Sequence, residues 1–213
     1  MRIDVFTLVP HAYAWLTEQR PVASVLGTNL ELRLFNYRDS TPLRAGQVDD
    51  EPYGGGAGMV LRVDVVAAAL ETVYGDEAPG PVIALSPKGR QLTQAVVEEL
   101  AALPALTLLS SRFEGFDERI VEHLATDAIS VGPYVLSNGD LPAMIVLDAV
   151  ARRLPGALAE GSGELESFSD ELGGGLEYPH YTRPADFRGW SVPDVLLSGD
   201  HARVDTWRRE QVR

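Results

Sequence analysis

Short apolar runs alternate with amphipathic segments along the first three quarters of the chain. Residues 105–109 are apolar throughout, as expected of a strand covered on both faces, whereas residues 63–73 repeat apolar side chains at helical spacing. Strands that alternate with helices are typical of an α/β fold with a mostly parallel sheet and helices on both faces. The pattern predicts strands at 2–9, 29–36, 81–85, 105–109 and near 127–131, and helices at 11–19, 63–73, 91–103, from Asp117 and at 141–154.

The helix predicted at 141–154 is almost wholly apolar until Arg152 and Arg153. Asp140 stands in front of it as the expected N-cap, and Pro142 falls in the first turn, where a missing N–H is harmless. Because it has no polar face, we expect this helix to be buried.

Composition changes after this helix. Residues 156–180 are rich in glycine and acidic side chains, which predicts a flexible linker or lid. A short apolar run at 195–199 and a terminal helix from about Asp200 follow. The predicted organisation is an α/β domain at 1–155, the linker, and a small tail region at 181–213.

Charge and composition narrow the classes of function. The 213 residues include no cysteine, which excludes disulfides, thiolate nucleophiles and sulfur-ligated metals. The four histidines are scattered without ligand spacing, so no metal site is expected. No apolar run approaches the roughly 18 residues that cross a bilayer, and the N-terminus is predicted to be a strand, not a signal peptide. No membrane partner is therefore expected.

The net charge of −13 argues against RNA binding, because RNA affinity draws on the neutralisation of phosphates. The charge is uneven, however. Residues 160–177 carry only acidic charges, whereas arginines recur from 183 onward. Lys88 is the only lysine, and arginine is the better fork for phosphate. Charge alone does not predict an RNA-binding protein.

Three polar loops follow successive predicted strands, at 86–90, 110–119 and 130–142. Each combines small residues, which allow the backbone to approach a ligand, with groups able to hydrogen-bond it. Loops at the carboxyl ends of parallel strands converge, so together they predict a composite ligand site. Neither a GxGxxG fingerprint nor a P-loop is present, and the glycines at 53–59 alone indicate only a flexible turn.

Seven longer motifs span nearly the whole chain: VDDEPYGGGAGM (48–59), LSPKGR (85–90), RFEGFDER (112–119), SVGPYVLSNGDLPAM (130–144), DAVARRLPG (148–156), YPHYTRP (178–184) and VPDVLLSGDHARVDTWRR (192–209). In this order they resemble the bacterial tRNA (guanine-N(1)-)-methyltransferase family, TrmD, of the SPOUT superfamily. The resemblance implies a parallel sheet whose C-terminal part threads a deep trefoil knot, followed by the linker and a short helical tail.

The resemblance also implies that the knot loops bind S-adenosylmethionine in a bent shape. The protein would be a cytoplasmic homodimer whose active sites are each completed by the partner's linker and tail. By resemblance, the cofactor contacts are Leu85, Ser86, Pro87, Ser111, Phe113, Glu114, Gly115, Val131, Gly132, Pro133, Tyr134, Val135, Leu136, Gly139 and Pro142.

The implied reaction methylates N1 of the guanosine at position 37 of tRNA, 3′ of the anticodon. The N1 proton must leave, and charge that grows on the 6-oxo group must be stabilised. Arg152 matches the family's essential arginine, although an arginine at a helix C-terminus can also serve only the helix dipole. The family's proton acceptor is an aspartate before a Ser-Phe-type pair. Here Glu166 stands in that place, with Asp170 as the alternative.

Further positions are carried over or depart from the family pattern. Candidate tRNA contacts are Asp50, Arg119, His180 and Arg183. Ser111 and Asn138 stand where the family usually has glycine, and Pro133 replaces a usual acid. The chain ends at Arg213, just inside the family's C-terminal helical region, so we expect a truncated tRNA-binding region.

Two alternatives stay open. One is a related knotted methyltransferase that acts on another RNA, which the full run of motifs disfavours. The other is a module that binds S-adenosylmethionine and RNA with weak or silent catalysis. Glu166 in place of aspartate and the short C-terminus keep this second alternative open.

Overall fold

The computed structural model describes residues 1–159, 162 and 166–213. These residues form two compact units, Met1–Leu158 and Ala159–Arg213. The boundary between the units falls inside the stretch 156–180, where the sequence predicts a linker.

A parallel sheet of five strands forms the centre of the first unit. The strands of the first unit are β1 (Arg2–Thr7), β2 (Glu31–Asn36), β3 (Asp49–Asp50), β4 (Val60–Leu61), β5 (Val82–Gln91), β6 (Ala105–Leu109) and β7 (Asp127–Ser130). The five-stranded sheet has the order β2-β1-β6-β5-β7. The short strands β3 and β4 pair with each other in a separate antiparallel ladder. Strand β6 is buried along its whole length, because strands in a parallel sheet are covered on both faces. The predicted parallel sheet is confirmed.

Helices cover both faces of this sheet. They are α1 (Ala14–Glu18), α2 (Val22–Val25), α3 (Val63–Tyr74), α4 (Gln94–Ala101) and α5 (Asp140–Ala151). Successive side chains of a strand point to opposite faces. Val5 of β1 accordingly joins a core with α1, α2, α4 and α5, whereas Phe6 joins a second core with α3.

Strand β5 is longer than the sequence predicted. The apolar run at 81–85 continues to Gln91, because Leu85 and Arg90 both pair with Ile129 of β7. The four residues between them form a bulge. The predicted loop is therefore an interruption inside a strand and not the end of one.

The helix predicted from Asp117 is much shorter than a regular α-helix. It is a single π-type turn at Ile120–Leu124, closed by a 2.8 Å hydrogen bond from the Ala125 amide to the Ile120 carbonyl. Ile120 is fully buried and anchors this turn in the α3 core. Strand β6, in contrast, has the predicted bounds.

Helix α5 differs from its prediction in three ways. Gly139 is the N-cap, and Asp140 is the first helical residue, with a buried side chain that caps nothing. The helix ends at Ala151 and not at 154. Its burial is incomplete, because Leu141 is 54% exposed and Ile145, one turn later, is 43% exposed. An apolar helix face is thus open to solvent in the single chain.

The second unit contains two short strands, β8 (Asp186–Phe187) and β9 (Trp190–Ser191), and two helices, α6 (Asp194–Leu197) and α7 (His201–Gln211). Asp200 caps α7 by accepting a 3.2 Å hydrogen bond from the Arg203 amide. Leu176 and Arg213 exchange two backbone hydrogen bonds of 2.7 and 3.2 Å. These bonds tie Arg213 to the later part of the stretch 156–180 that is predicted to be a linker.

Candidate active site

A cavity opens beside the β5 bulge, at the carboxyl ends of β6 and β7. This edge of a parallel sheet is where loops converge and ligands bind in α/β folds. Its walls are the β5 bulge, the loop after β6 and the loop that joins β7 to α5. The lining residues are Leu85, Ser86, Pro87, Ser111, Phe113, Glu114, Gly115, Ile129, Ser130, Val131, Gly132, Tyr134, Val135, Leu136, Ser137, Asn138, Gly139 and Pro142.

The bulge in β5 packs tightly against β7. A Cβ atom on Gly89 would lie 2.4 Å from the carbonyl carbon of Ala128, so only glycine fits there. Arg90 fixes the outgoing strand by donating hydrogen bonds to Asp127 at 2.8 Å and to Glu99 at 2.7 Å. This tight passage holds Ser86 at the cavity wall.

The glycine-rich segment at 53–59 supports the second wall. The Glu114 amide donates to the Met59 carbonyl at 2.9 Å, and the Leu61 amide donates to the Gly115 carbonyl at 3.0 Å. Gly58 has a φ of +80°, and a Cβ atom there would lie 2.5 Å from the Glu114 carboxylate. From the residues alone, these glycines predicted only a flexible turn. Their part in a functional site was indicated only by their presence in a motif of the family.

The third wall is a folded loop between β7 and α5. Tyr134 donates its hydroxyl to the Val131 carbonyl at 3.2 Å, which lays its ring over Gly132. A Cβ atom on Gly132 would lie 2.1 Å from that ring, so the arrangement requires glycine. At the far end of the loop, the Gly139 amide donates to the Ser111 carbonyl at 2.7 Å and joins the third wall to the second.

A buried carboxylate lies behind the cavity. Asp140 Oδ1 accepts hydrogen bonds from Thr7 Oγ1 at 2.5 Å, Ser110 Oγ at 2.8 Å and the Tyr13 hydroxyl at 3.2 Å. Burial and the adjacent Asp140 charge raise the pKa of Tyr13 well above its ordinary value, so Tyr13 stays a donor. The network joins β1, the loop after β6 and the start of α5. This role was not predicted from the sequence, because an N-cap at Asp140 already explained the residue from its sequence neighbours.

Every predicted cofactor contact except Pro133 lines the cavity. Pro133 lies in the third wall but is exposed and outside the lining. The cavity also includes residues that the sequence analysis did not name as contacts. These residues could have been identified from their positions, because they lie at the end of β7 or next to Gly139. They are Ile129, Ser130, Ser137 and Asn138.

The predicted tRNA contacts Asp50 and Arg119 each have an ionic partner within the first unit. Asp50 accepts a hydrogen bond from Arg62 at 2.8 Å. Arg119 donates to Asp117 at 2.6 Å, which holds the pKa of the Asp117 carboxyl below its usual value. Neither Asp50 nor Arg119 is part of the cavity lining.

Arg152 lies at the C-terminal end of α5, whereas the N-terminal end of this helix lines the cavity. Its amide donates to the Asp148 carbonyl at 3.1 Å. Burial raises the pKa of Asp148, and the positive charge of Arg152 partly offsets that effect. A helix rises about 1.5 Å per residue, so about 15 Å along the axis separates Arg152 from Pro142.

The remaining predicted residues lie in the second unit. The segment that follows Ser167 forms a closed loop, because the Phe168 amide donates to the Gly175 carbonyl at 2.7 Å. Glu166 lies two residues before Phe168. His180 Nε2 lies 2.9 Å from a Glu177 carboxylate oxygen. The flexibility predicted for this stretch stays a prediction, and Glu160, Gly161, Gly163, Glu164 and Leu165 lie outside the described residues.

Asp170 and Arg183 also belong to the second unit. Asp170 is exposed in a short 3-10 turn at Asp170–Leu172, and Arg183 is exposed two residues after Tyr181. Arg208 of α7 lies over the Tyr178 ring, 5.0 Å from its centroid, so the 178–184 motif packs against the terminal helix.

Within the described ranges 1–159, 162 and 166–213, no group of three or more His, Cys, Asp or Glu side chains is arranged to hold a metal ion. No helix in the same ranges combines the length and the apolar character that crossing a bilayer requires.

Fold and cavity together define the class: an α/β protein with a cavity at the carboxyl edge of a parallel sheet, whose walls are glycine-containing loops. Over its whole length, residues 1–213, the chain matches the family described as tRNA (Guanine-1)-methyltransferase TrmD. The chain therefore belongs to this family, and the resemblance stated from its motifs is confirmed.

Curated relatives agree with the family match. A tRNA (guanine-N(1)-)-methyltransferase of Dehalococcoides mccartyi is 48% identical over 213 residues, covering 99% of this chain and 85% of the relative. Proteins of the same name from Brevibacillus brevis and Gloeobacter violaceus are each 48% identical, over 99% of this chain and 86% and 92% of their own lengths.

Proposed function

We propose that this chain transfers a methyl group from S-adenosylmethionine to N1 of guanosine 37 of tRNA, the nucleoside 3′ of the anticodon. The observation that carries the proposal is the match of the whole chain to a family whose curated relatives are named for guanine-N(1) methylation of tRNA. The cavity at the carboxyl edge of the sheet offers a site for the methyl donor. A tRNA substrate also agrees with a cytoplasmic location.

The cavity residues fit S-adenosylmethionine. Leu85, Leu136 and Pro142 would hold its apolar parts, and the small residues of the lining allow backbone N–H and C=O groups to reach its polar atoms. Gly139 is also a tight point of the lining, because a Cβ atom there would lie 2.7 Å from the Ser111 amide nitrogen. When bound, S-adenosylmethionine supplies an electrophilic methyl group on a sulfonium sulfur.

The protein's own groups then have two tasks. Glu166 would accept the proton that leaves guanine N1 when this nitrogen takes the methyl group from the bound cofactor. Arg152 stabilises the negative charge that develops on the 6-oxo group, since a guanidinium stays charged and offers a rigid set of donors. Asp170 is the alternative proton acceptor.

We propose that the active enzyme is a homodimer whose sites are shared. Arg152 lies about 15 Å along the helix axis from Pro142, the α5 residue that lines the cavity of the same chain. A second copy of the chain is therefore the better source of the arginine for that cavity. The exposed apolar residues Val135, Leu141 and Ile145 belong to the same loop and helix and would be covered by that copy.

A deep trefoil knot is proposed for the C-terminal part of the sheet, as in the SPOUT superfamily. Its support is the passage of the segment before α5 against the loop after β6, where the Gly139 amide and the Ser111 carbonyl are 2.7 Å apart. In the sheet order, β5 lies between β6 and β7, so the segment that leaves β7 passes β5 to reach the loop after β6.

Four side chains are proposed to contact tRNA: Asp50, Arg119, His180 and Arg183. Arg119 and Arg183 are exposed and positively charged, which suits phosphate. Asp50 and His180 are exposed polar groups able to hydrogen-bond a base or ribose.

The test is methyl transfer from labelled S-adenosylmethionine to two tRNA transcripts that differ only by guanosine or adenosine at position 37. Transfer to the guanosine transcript alone is the expected result. Equal transfer to both would contradict the proposed target atom. Cofactor binding without transfer to either would favour the silent binding module.

A further inference from the structure

An aromatic hairpin projects from the second unit. Strands β8 and β9 are joined by a two-residue loop, Arg188 and Gly189, both with positive φ, 59° and 82°. This is the backbone geometry of the tight turns that match the twist of a hairpin. Trp190 is 70% exposed and Phe187 is 49% exposed, so the hairpin presents two aromatic side chains to solvent.

The hairpin is held rigidly by one carboxylate. Asp186 accepts a hydrogen bond from the Gly189 amide at 3.1 Å and another from Ser191 Oγ at 2.6 Å. The hydrogen bonds from Ser191 and Gly189 lower the pKa of Asp186, so its negative charge is held by donors within the turn. The Val192 amide extends the ladder by donating to the Ala185 carbonyl at 2.9 Å.

Arginine and aromatic faces are combined at the tip. The Arg188 guanidinium lies over the Phe187 ring, 5.0 Å from its centroid, and the Phe187 and Trp190 rings meet edge to face at 5.8 Å. Arg188 holds this position from a left-handed backbone conformation that is unfavourable for a side chain other than glycine. Strained residues of this kind concentrate at functional sites.

We propose that this hairpin is an RNA-binding surface, on which Trp190 stacks against an unpaired base of the tRNA substrate and Arg188 contacts a neighbouring phosphate. Aromatic faces beside a cation are the chemistry that binds single-stranded nucleic acid, since every base has a stacking face. The carboxylate of the hairpin is occupied within the turn, so the tip presents positive charge in a chain whose net charge is −13. This inference rests on the proposed tRNA substrate and extends it to a residue-level contact.

The experiment compares tRNA affinity of the full chain with that of Trp190→Ala, Trp190→Phe and Arg188→Ala. Trp15→Ala is the matched control, because Trp15 is an equally exposed tryptophan in the first unit. We expect Trp190→Ala to weaken tRNA binding about tenfold or more, Trp190→Phe to retain most of it, and Trp15→Ala to change nothing. Affinity for S-adenosylmethionine should stay at the wild-type value in all four variants.

Salt dependence separates the two contacts. Loss of a stacking contact leaves the slope of log affinity against log salt unchanged, whereas loss of the Arg188 phosphate contact reduces its magnitude by about 0.7. Wild-type tRNA affinity in Trp190→Ala would overturn the inference while leaving the methyl transfer assay intact. A change in native mass of that variant would show instead a contact between copies and would also overturn it. A wild-type chain that binds no tRNA would overturn this inference and the proposed function together.

Discussion

Glu166 and Asp170 are two carboxylates on either side of the Ser-Phe pair in the second unit. The loop that contains them has a defined conformation, because Phe168 has a φ of +70° and its amide donates to the Gly175 carbonyl. The Glu166 carbonyl in turn accepts a 3.1 Å hydrogen bond from the Ser169 amide. Glu166 precedes the Ser-Phe pair and Asp170 follows it, so the two acids can be tested separately.

Glu166→Gln is expected to lower kcat about 100-fold or more with little change in KM for tRNA, because the variant keeps size and polarity but cannot accept the N1 proton. The measurement is steady-state methyl transfer to the guanosine-37 transcript. Glu171→Gln is the matched control, since it removes a nearby charge outside the proposed chemistry. A large loss in Asp170→Asn with near-normal turnover in Glu166→Gln would assign the proton transfer to Asp170.

Asp140 supplies a second prediction at the residue scale. Asp140→Ala leaves the hydroxyls of Thr7, Tyr13 and Ser110 without their shared acceptor, and a buried unsatisfied group costs about 1–3 kcal/mol. The free energy of unfolding from urea titration should fall by at least this amount. Asp140→Asn retains an acceptor oxygen and should lose less. Equal unfolding curves for Asp140→Ala and the wild type would show that the network contributes nothing to stability.

At the scale of elements, the sequence predicted those helices and strands whose residues show the pattern by themselves. The apolar run at 105–109 forms β6 with the predicted bounds, because a strand buried on both faces is apolar along its whole length. The β5 bulge could not be predicted, because it is defined by the pairing of Leu85 and Arg90 with the same residue of β7. The role of Asp140 was missed for a similar reason. Its hydrogen-bond partners are distant in sequence, and a local cap accounted for the same residue.

The candidate site shows the same division. Residue patterns found the three loops that form the cavity walls, although the loop at 86–90 lies inside β5 and not at its end. The family resemblance named most of the cavity lining in advance. They did not reveal that Gly58 supports Glu114, since that contact joins segments far apart in the chain. The catalytic assignments of Glu166 and Arg152 remain predictions.

Strand β1 and helix α3 are joined by a pair of polar side chains that gives a pH-dependent prediction. The Tyr74 hydroxyl donates to Asp4 at 2.6 Å and lies 2.7 Å from Thr107 Oγ1. Burial, followed by the hydrogen bond to Asp4, raises the pKa of Tyr74 above its ordinary value. A raised pKa in the folded state stabilises the fold below the ordinary tyrosine pKa of about 10, and this stabilisation is lost as the pH rises beyond it.

Tyr74→Phe should therefore be less stable than the wild type at neutral pH, by about 1–3 kcal/mol, because the buried Thr107 hydroxyl loses its partner. The unfolding free energy of the variant should fall less steeply than that of the wild type above about pH 10. Urea unfolding at a series of pH values from neutral to alkaline measures both effects. Tyr53→Phe is the control, because Tyr53 is almost fully exposed. Parallel pH profiles for Tyr74→Phe and the wild type would remove Tyr74 from the alkaline response.

At the scale of the whole molecule, the exposed apolar face of α5 and the distance of Arg152 from the cavity point to the same assembly. Leu141 and Ile145 are exposed to water in the single chain, and covering them would stabilise the protein. Ile145→Glu would place a charge in the proposed contact between copies, so we expect this variant to be a monomer and the wild type a dimer in native mass measurements. Trp15→Glu, at an exposed apolar position in another helix, should leave the dimer unchanged.

The proposed sharing of active sites makes a stronger prediction, which concerns mixtures of two inactive chains. One chain is Arg152→Ala, and the other is Ser111→Phe, whose cavity is blocked. In a mixed dimer, the open cavity of the first chain meets the intact arginine of the second, so one of its two sites works. Random pairing of equal amounts makes half of the dimers mixed, and about a quarter of wild-type methyl transfer should return. If each chain instead uses its own Arg152, co-folded mixtures would remain as inactive as the separate variants.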